Sequence, residues 1–274
     1  MLGLILGSAF SGPDPGARLG LTLRPETVAT PVGDWTLHHV EGDAEGRALR
    51  ADGVGGVVSL RHGTPHRFLP NQIPYRAQAW AMRAAGAESV LVTSSVGVMT
   101  ERLPLYQPIL LSDILYPENR LPDGSACTLF PAPTAEQGHL VLSDGLLSER
   151  LGDEIARVAD RAGVEIARGA VFAYAGGPRG KTAAENAMWA RLGAEVNSMT
   201  LAPEAVLAAE GGASVAGLVV GHKYSVPGRQ NPDEGGIAAS LDASREATRS
   251  IARAYLESAR PIQSGNHLYR FDSE

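Results

Sequence analysis

Gly176-Gly-Pro-Arg-Gly-Lys-Thr-Ala-Ala-Glu185, running on through Gly193-Ala-Glu-Val-Asn-Ser-Met-Thr200 to Leu201-Ala-Pro-Glu204, decides the fold. Gly-Gly-Pro marks a turn. Thr182 and Glu185 stand at capping-box spacing, so the threonine hydroxyl can accept from the Glu185 amide while the carboxylate reaches back to the Thr182 N–H. That predicts a helix opening at Thr182 and stopping at Gly193. A strand follows and ends in the Thr200 hydroxyl. Pro203 fits the first turn of a second helix, which stops at Gly211-Gly212. A hydroxyl at a strand end, next to a helix start, suits a phosphate or a ribose at the carboxyl edge of a sheet.

The rest of the chain alternates in the same way. Residues 2–6 read as a short buried strand ending at Gly7-Ser8, and the Gly-rich residues 18–60 as strands joined by turns. Residues 75–85 predict a helix with Trp80 and Ala84 on one face, closed by Gly86. The continuous apolar run 89–93 is the mark of a strand covered on both faces. Residues 101–138, rich in Pro and Leu with little periodicity, are expected to be a long functional loop. Beyond them come a strand at 140–142, a helix over 146–162 stopped by Gly163, a strand near 164–174 and a buried strand at 215–220. Asn231-Pro-Asp-Glu234 is expected to cap the last helix, whose stripe is Ile237, Leu241, Thr248, Ile251 and Tyr255. The last dozen residues, Asn266-His267 included, carry no pattern. Alternating strands and helices with no linker predict an α/β fold: a single domain over 1–274, with a central mixed, largely parallel sheet flanked by helices.

Composition narrows the function. A net charge of −6, with Lys and Arg spread along the chain, argues against a nucleic-acid surface, so a phosphate site would be a local cationic pocket. With one cysteine, Cys127, no intrachain disulfide or thiolate metal cluster can form. Residues 1–8 are apolar but short and lack a basic segment, which does not read as a signal peptide. No run reaches membrane-spanning length, so no membrane partner and a cytoplasmic location are expected.

Four segments fall at strand ends: Gly7-Ser8-Ala9, Arg61-His62-Gly63-Thr64-Pro65-His66, Thr93-Ser94-Ser95-Val96-Gly97 and Asn197-Ser198-Met199-Thr200. Arg61 offers a planar fork of donors matched to a phosphate dianion. His62 and His66 stand four apart, which on a helix would suggest a metal pair; Gly63 and Pro65 between them argue against that helix, and no metal is expected. Taken singly, each segment also reads as an ordinary turn.

Together they resemble the purine nucleoside phosphorylase and methylthioadenosine phosphorylase family, with its "GP…T..E…LGA…MT..PE" string, its "RHG..H" segment and its Gly-Ser turn. The resemblance runs from Leu4 to about Lys223. It implies phosphate-dependent cleavage of a purine N-glycosidic bond, with inorganic phosphate as co-substrate and no other cofactor, and a homotrimer (or hexamer). It further implies Ser8, Arg61, His62, Ser94 and Thr200 around phosphate, and Ser95 and Met199 along the ribose. His66 would be a secondary contact and Asn197 part of the substrate wall. Glu204 would be a supporting carboxylate.

The chain departs from the family at the base. Where the family has an aromatic residue and a glutamate after the "GP" turn, this chain has Gly180 and Lys181. Where 6-oxopurine enzymes have asparagine then lysine, it has His222 in place of the asparagine and Lys223 matching the lysine, and neither aspartate of the methylthioadenosine enzymes is present. His222 is either the group that hydrogen-bonds or protonates the purine, since imidazole titrates near neutral pH, or a structural histidine at a strand end. The altered base residues leave a second reading, a non-catalytic nucleoside or phosphate binder on the same fold. A nucleoside hydrolase would call for an Asp-rich calcium site, and a dinucleotide enzyme for a full glycine fingerprint; the chain has neither.

Overall fold

The computed structural model describes residues 1–50, 55–226, 231 and 234–270. In chain order its elements are β1 (Leu2–Leu6), α1 (Pro15–Leu19), β2 (Leu21–Val28), β3 (Trp35–Asp43), β4 (Gly56–Leu60), α2 (Tyr75–Ala84), β5 (Ser89–Val98) and β6 (Pro108–Leu115). There follow β7 (His139–Val141), α3 (Glu149–Arg161), β8 (Ala167–Tyr174), α4 (Ala183–Arg191), β9 (Val196–Ser198), α5 (Ala202–Glu210), β10 (Ser214–Tyr224), α6 (Glu234–Ser258) and β11 (His267–Tyr269). Strands and helices form the α/β domain that the sequence predicts.

The large sheet is organised around β5. Its first residues pair parallel with β1, its last two pair antiparallel with β9, and β10 runs parallel along it from end to end. Because β10 also pairs with β6, β6 with β8 and β8 with β9, the strands β5, β10, β6, β8 and β9 close into a ring. The strands β1, β4, β3 and β2 extend from it as an open wing.

Residues on β5 alternate between two cores, as a strand covered on both faces requires. Val90 and Val92 join a cluster with Ile109, Phe172, Val196 and the α5 residues Ala202 and Ala205. Leu91 faces the opposite way, into a cluster with Leu4, Leu218 and the helix residues Ile155, Ile251 and Tyr255. Two glycines of β10 let the ring close tightly: a Cβ at Gly217 would meet Leu111 Cδ1 at 2.7 Å, and one at Gly221 would meet Val98 Cγ2 at 2.4 Å.

Several expectations change. Residues 101–138 are not one loop, because they contain β6, in which Ile109-Leu-Leu111 is buried and Pro108 occupies the first strand position, where a missing N–H is tolerated. Helix α2 buries Ala77, Gln78, Ala81 and Met82 rather than a Trp80–Ala84 face; Ala84 is exposed and Trp80 packs edge-on against Phe130. The Asn231 side chain accepts from the Tyr224 N–H and donates to the Tyr224 carbonyl, while Pro232, Asp233 and the Glu234 side chain of the expected cap lie outside the described residues. Thr248, Ile251 and Tyr255 are buried on α6, while the side chains of Ile237 and Leu241 lie outside the described residues. The unpatterned C-terminus forms β11, which pairs with β7, and Asn266 holds the Asp144 N–H and the Gly145 carbonyl.

The capping box at Thr182 and Glu185 is present, with both reciprocal bonds. Helix α3 begins at Glu149 rather than residue 146 because the Ser148 hydroxyl accepts from the Leu151 N–H.

Candidate active site

The parallel strands β1, β4, β5 and β10 end at one edge of the sheet, and a cavity of about 350 Å³ opens there. Ser8 follows β1, Arg61 and His62 follow β4, and Ser94 and Ser95 lie on β5. Asn197 lies on β9 with Met199 and Thr200 just beyond, His222 and Lys223 lie on β10, and Lys181 precedes α4. All of these, with His66, line the one cavity. Pro70, which follows the Arg61–His66 segment, also lines it, as do Leu69, Asn186 and Ser225, which carry no recognisable signal in the sequence. A larger open groove of about 920 Å³ runs past Trp35, His38 and Phe68 and contains none of these candidates.

Arg61 is almost wholly buried, at 1 % exposure. Its Nε donates to Glu204 Oε1, itself buried at the start of α5. Glycine at position 7 gives the guanidinium room, since a Cβ there would lie 2.9 Å from Nη1. Arg61 Nη2 is buried with no hydrogen-bond partner among the described residues. An unpaired buried guanidinium donor is costly unless an acceptor meets it, and an anion at this edge would do so.

Beside it sits a cluster of hydroxyls. Ser94 Oγ lies 3.1 Å from Ser198 Oγ and 3.2 Å from Thr200 Oγ1. Ser94 and Ser95 are part of β5 itself rather than a turn after it, so their positions are fixed by the strand ladder. Thr200 is fixed by a γ-turn centred on Leu201, at φ 77° and ψ −51°, in which the Ala202 N–H donates to the Thr200 carbonyl at 3.0 Å. This rare positive-φ turn strains a buried residue with a Cβ. Glu204 Oε2 accepts from the Leu201 N–H, so one carboxylate holds both the strained turn and Arg61.

Asn197 is buried, and its amide nitrogen donates to Asn186 Oδ1 and to Met99 Sδ, each at 2.9 Å. Only its Oδ1 is left for a ligand. Met199 packs on the Gly176-Gly177 turn, where a Cβ at Gly177 would come within 2.7 Å of the sulfur.

Burial and the neighbouring Arg61 push His62 down to about 4, so its ring is neutral at pH 7. Its Nδ1 lies 2.7 Å from the Phe68 carbonyl and donates to it, which leaves Nε2 as an acceptor. The His66 ring packs against it at 4.4 Å between centroids. Burial, then Lys223 and Lys181, push His222 down to about 4 as well, and its Nδ1 is buried without a partner among the described residues. Lys181 is lowered to about 8 by burial and then by Lys223. Among the described residues no group of three His, Cys, Asp or Glu could hold a metal ion.

The sequence profile of the phosphorylase superfamily matches residues 27–257. The chain belongs to the phosphorylase superfamily. Over 211 residues it is 28 % identical to an S-methyl-5′-thioadenosine phosphorylase of Thermofilum pendens, an overlap covering 76 % of this chain and 73 % of that one. It is 29 % identical to a purine nucleoside phosphorylase of Drosophila melanogaster, over 70 % of this chain and 63 % of that one. A probable S-methyl-5′-thioinosine phosphorylase of Pseudomonas syringae pv. tomato is 31 % identical, over 70 % of this chain and 73 % of that one. In three dimensions the chain is similar to methylthioadenosine phosphorylase from Schistosoma mansoni in complex with adenine, with a TM-score of 0.76 at 22 % identity, over 93 % of this chain and 90 % of that one. Among the described residues no helix is long and apolar enough to cross a membrane.

Proposed function

We propose that this member of the phosphorylase superfamily cleaves the N-glycosidic bond of a purine nucleoside, with or without a 5′ substituent, by phosphorolysis, releasing free base and a pentose 1-phosphate. The observation that carries the reading is Arg61 Nη2, a buried donor with no partner among the described residues, in a side chain that lines the same cavity as the Ser94, Ser198 and Thr200 hydroxyls. A site that only bound a nucleoside would have no use for this anion cradle.

In this reading Ser8, Arg61, Ser94 and Thr200 donate to phosphate. Neutral His62 contributes its acceptor Nε2, which suits the one P–O–H of hydrogenphosphate rather than a bare oxyanion. Held against the anomeric carbon, the phosphate stabilises the oxocarbenium-like sugar and then attacks it, so the protein's part is positioning and electrostatics. Ser95 and Met199 line the ribose, His66 is a secondary contact, and Asn197 holds the strand end in place. His222 contacts the base as a neutral hydrogen-bond partner. The expectation that it protonates the base is set aside, because burial and two neighbouring ammonium groups keep the ring uncharged. We also propose that the enzyme acts as a homotrimer in the cytoplasm, with inorganic phosphate as co-substrate and no cofactor.

The test is release of free base from inosine, guanosine, adenosine and methylthioadenosine with and without inorganic phosphate. Release that requires phosphate supports the reading, and no release under either condition, with a nucleoside still bound, replaces it with a binding protein.

A further inference from the structure

The cavity wall is electrostatically one-sided. It carries Arg61, Lys181 and Lys223 and, among the described residues, no carboxylate, in a chain whose net charge is −6. Arg61 is matched by Glu204. Lys181 is not matched in this way. It makes no hydrogen bond or ion pair with the described residues, and the acid among them that acts on it, Glu185, is already held by Arg179 at 2.6 and 2.9 Å and by the Thr182 N–H at 2.7 Å. Lys181 and Lys223 reach the cavity from separate elements, the turn before α4 and the end of β10, and each acts electrostatically on His222. The two ammonium groups and His222 therefore form one cluster. Of the phosphate residues, Ser8 and Arg61 follow β1 and β4, Ser94 lies on β5 and Thr200 lies on the turn after β9.

We propose that this cluster is the base end of the cavity and that Lys181, with Lys223, selects nucleosides of oxopurines, most strongly 2,6-dioxopurines, over those of 6-aminopurines. The proposal rests on the phosphorolysis proposed above. An ammonium group has three donors and no acceptor. A 6-amino group turns donors towards it and leaves both sides unpaired, whereas ring carbonyls turn acceptors. A 2,6-dioxopurine gives up a ring proton near neutral pH, so it presents an anion. The same groups assist departure. When C1′–N9 breaks, both bonding electrons leave with the base while a phosphate oxygen forms the new bond to C1′. The base therefore leaves with one more negative charge than it carried in the nucleoside, an anion from a neutral base and a dianion from an ionised 2,6-dioxopurine. Neutral His222 cannot neutralise it, whereas the two ammonium groups can hold it by hydrogen bonds with no proton transfer required. A site built around such hydrogen bonds discriminates strongly against an analogue that leaves its donors unpaired.

The experiment compares kcat/KM, at saturating phosphate, for xanthosine, inosine and adenosine, and for 5′-methylthioinosine against 5′-methylthioadenosine, so that the 5′ group is constant within each series. The wild-type enzyme is expected to favour oxo over amino at least tenfold in both series, with xanthosine fastest. Lys181→Met should collapse that ratio at least tenfold with the KM for phosphate unchanged, and Lys181→Glu should reverse it. Adenosine turned over as well as xanthosine by the wild type, or a ratio unmoved in Lys181→Met, would overturn the proposal. If no nucleoside releases base, phosphorolysis itself has failed. The base site is then decided separately by calorimetry on the wild-type protein: xanthine binding at least tenfold more tightly than adenine supports it, and adenine binding equally or more tightly overturns it.

Discussion

Glu204 connects the chemistry of this site to its stability. Its two oxygens hold Arg61 and the strained N–H of Leu201, and all three residues are buried. Removing one partner of a buried ion pair typically costs about 3–5 kcal/mol, because the other charge is left without a counterion. Glu204→Ala should therefore lower the unfolding free energy, read from urea denaturation, by an amount in that range and raise the KM for phosphate together with it. Ser94→Ala is the contrasting case. It removes one half-buried hydroxyl, which should raise the KM for phosphate about tenfold while leaving the unfolding free energy within about 1 kcal/mol of wild type. Lys181 gives a pH signature. Its ammonium is lowered to about 8 by burial and by Lys223, with Glu185 opposing, so the protonated form is lost as pH rises through that value. A pH profile of kcat/KM for an oxopurine nucleoside should fall above about pH 8, and Lys181→Met should lose that limb.

At the scale of elements, the ring β5–β10–β6–β8–β9 holds the site rigid, and glycines make it possible. A Cβ at Gly221 would meet Val98 at 2.4 Å, so β10 and β5 could not keep their register with a larger residue there. Gly221→Ala should cost about 1–3 kcal/mol by overpacking, read from urea denaturation, and should weaken turnover because His222 is the next residue. Much of this scaffold was legible in the sequence. The capping box at Thr182, the stops at Gly86, Gly163 and Gly193, and the apolar runs of β1 and β5 are local signals with local causes. Strand β6 was not legible, because its Ile109-Leu-Leu111 run sits among prolines and its burial comes from partners distant in sequence, β8 and β10. The candidate site divides in the same way. Its strand-end motifs could be read from the chain. Asn186 could not, since only the fold brings it to Asn197 Nδ2, at 2.9 Å.

For the whole molecule, two neutral histidines, His62 buried and His222 half-buried, predict a particular acid sensitivity. His62 and His222 are held near 4 in the folded protein against an ordinary 6.5, so between those values the unfolded chain binds protons that the folded one does not. Stability contributed by these rings is complete above pH 6.5 and is lost as pH falls towards 4, by on the order of 3 kcal/mol for each. Urea midpoints measured in phosphate-free buffer from pH 8 to 4 should stay level to about pH 6.5 and then drop, and His62→Asn should make the drop shallower. The central claim concerns the bond-forming step, and it is tested most directly by identifying the sugar product. Inosine or xanthosine incubated with the enzyme and inorganic phosphate in ¹⁸O-water, then examined by ³¹P NMR and mass spectrometry, should give pentose 1-phosphate in equal amount to the free base with no solvent oxygen at C1′. Free pentose carrying ¹⁸O at C1′, formed equally well without phosphate, would contradict the account.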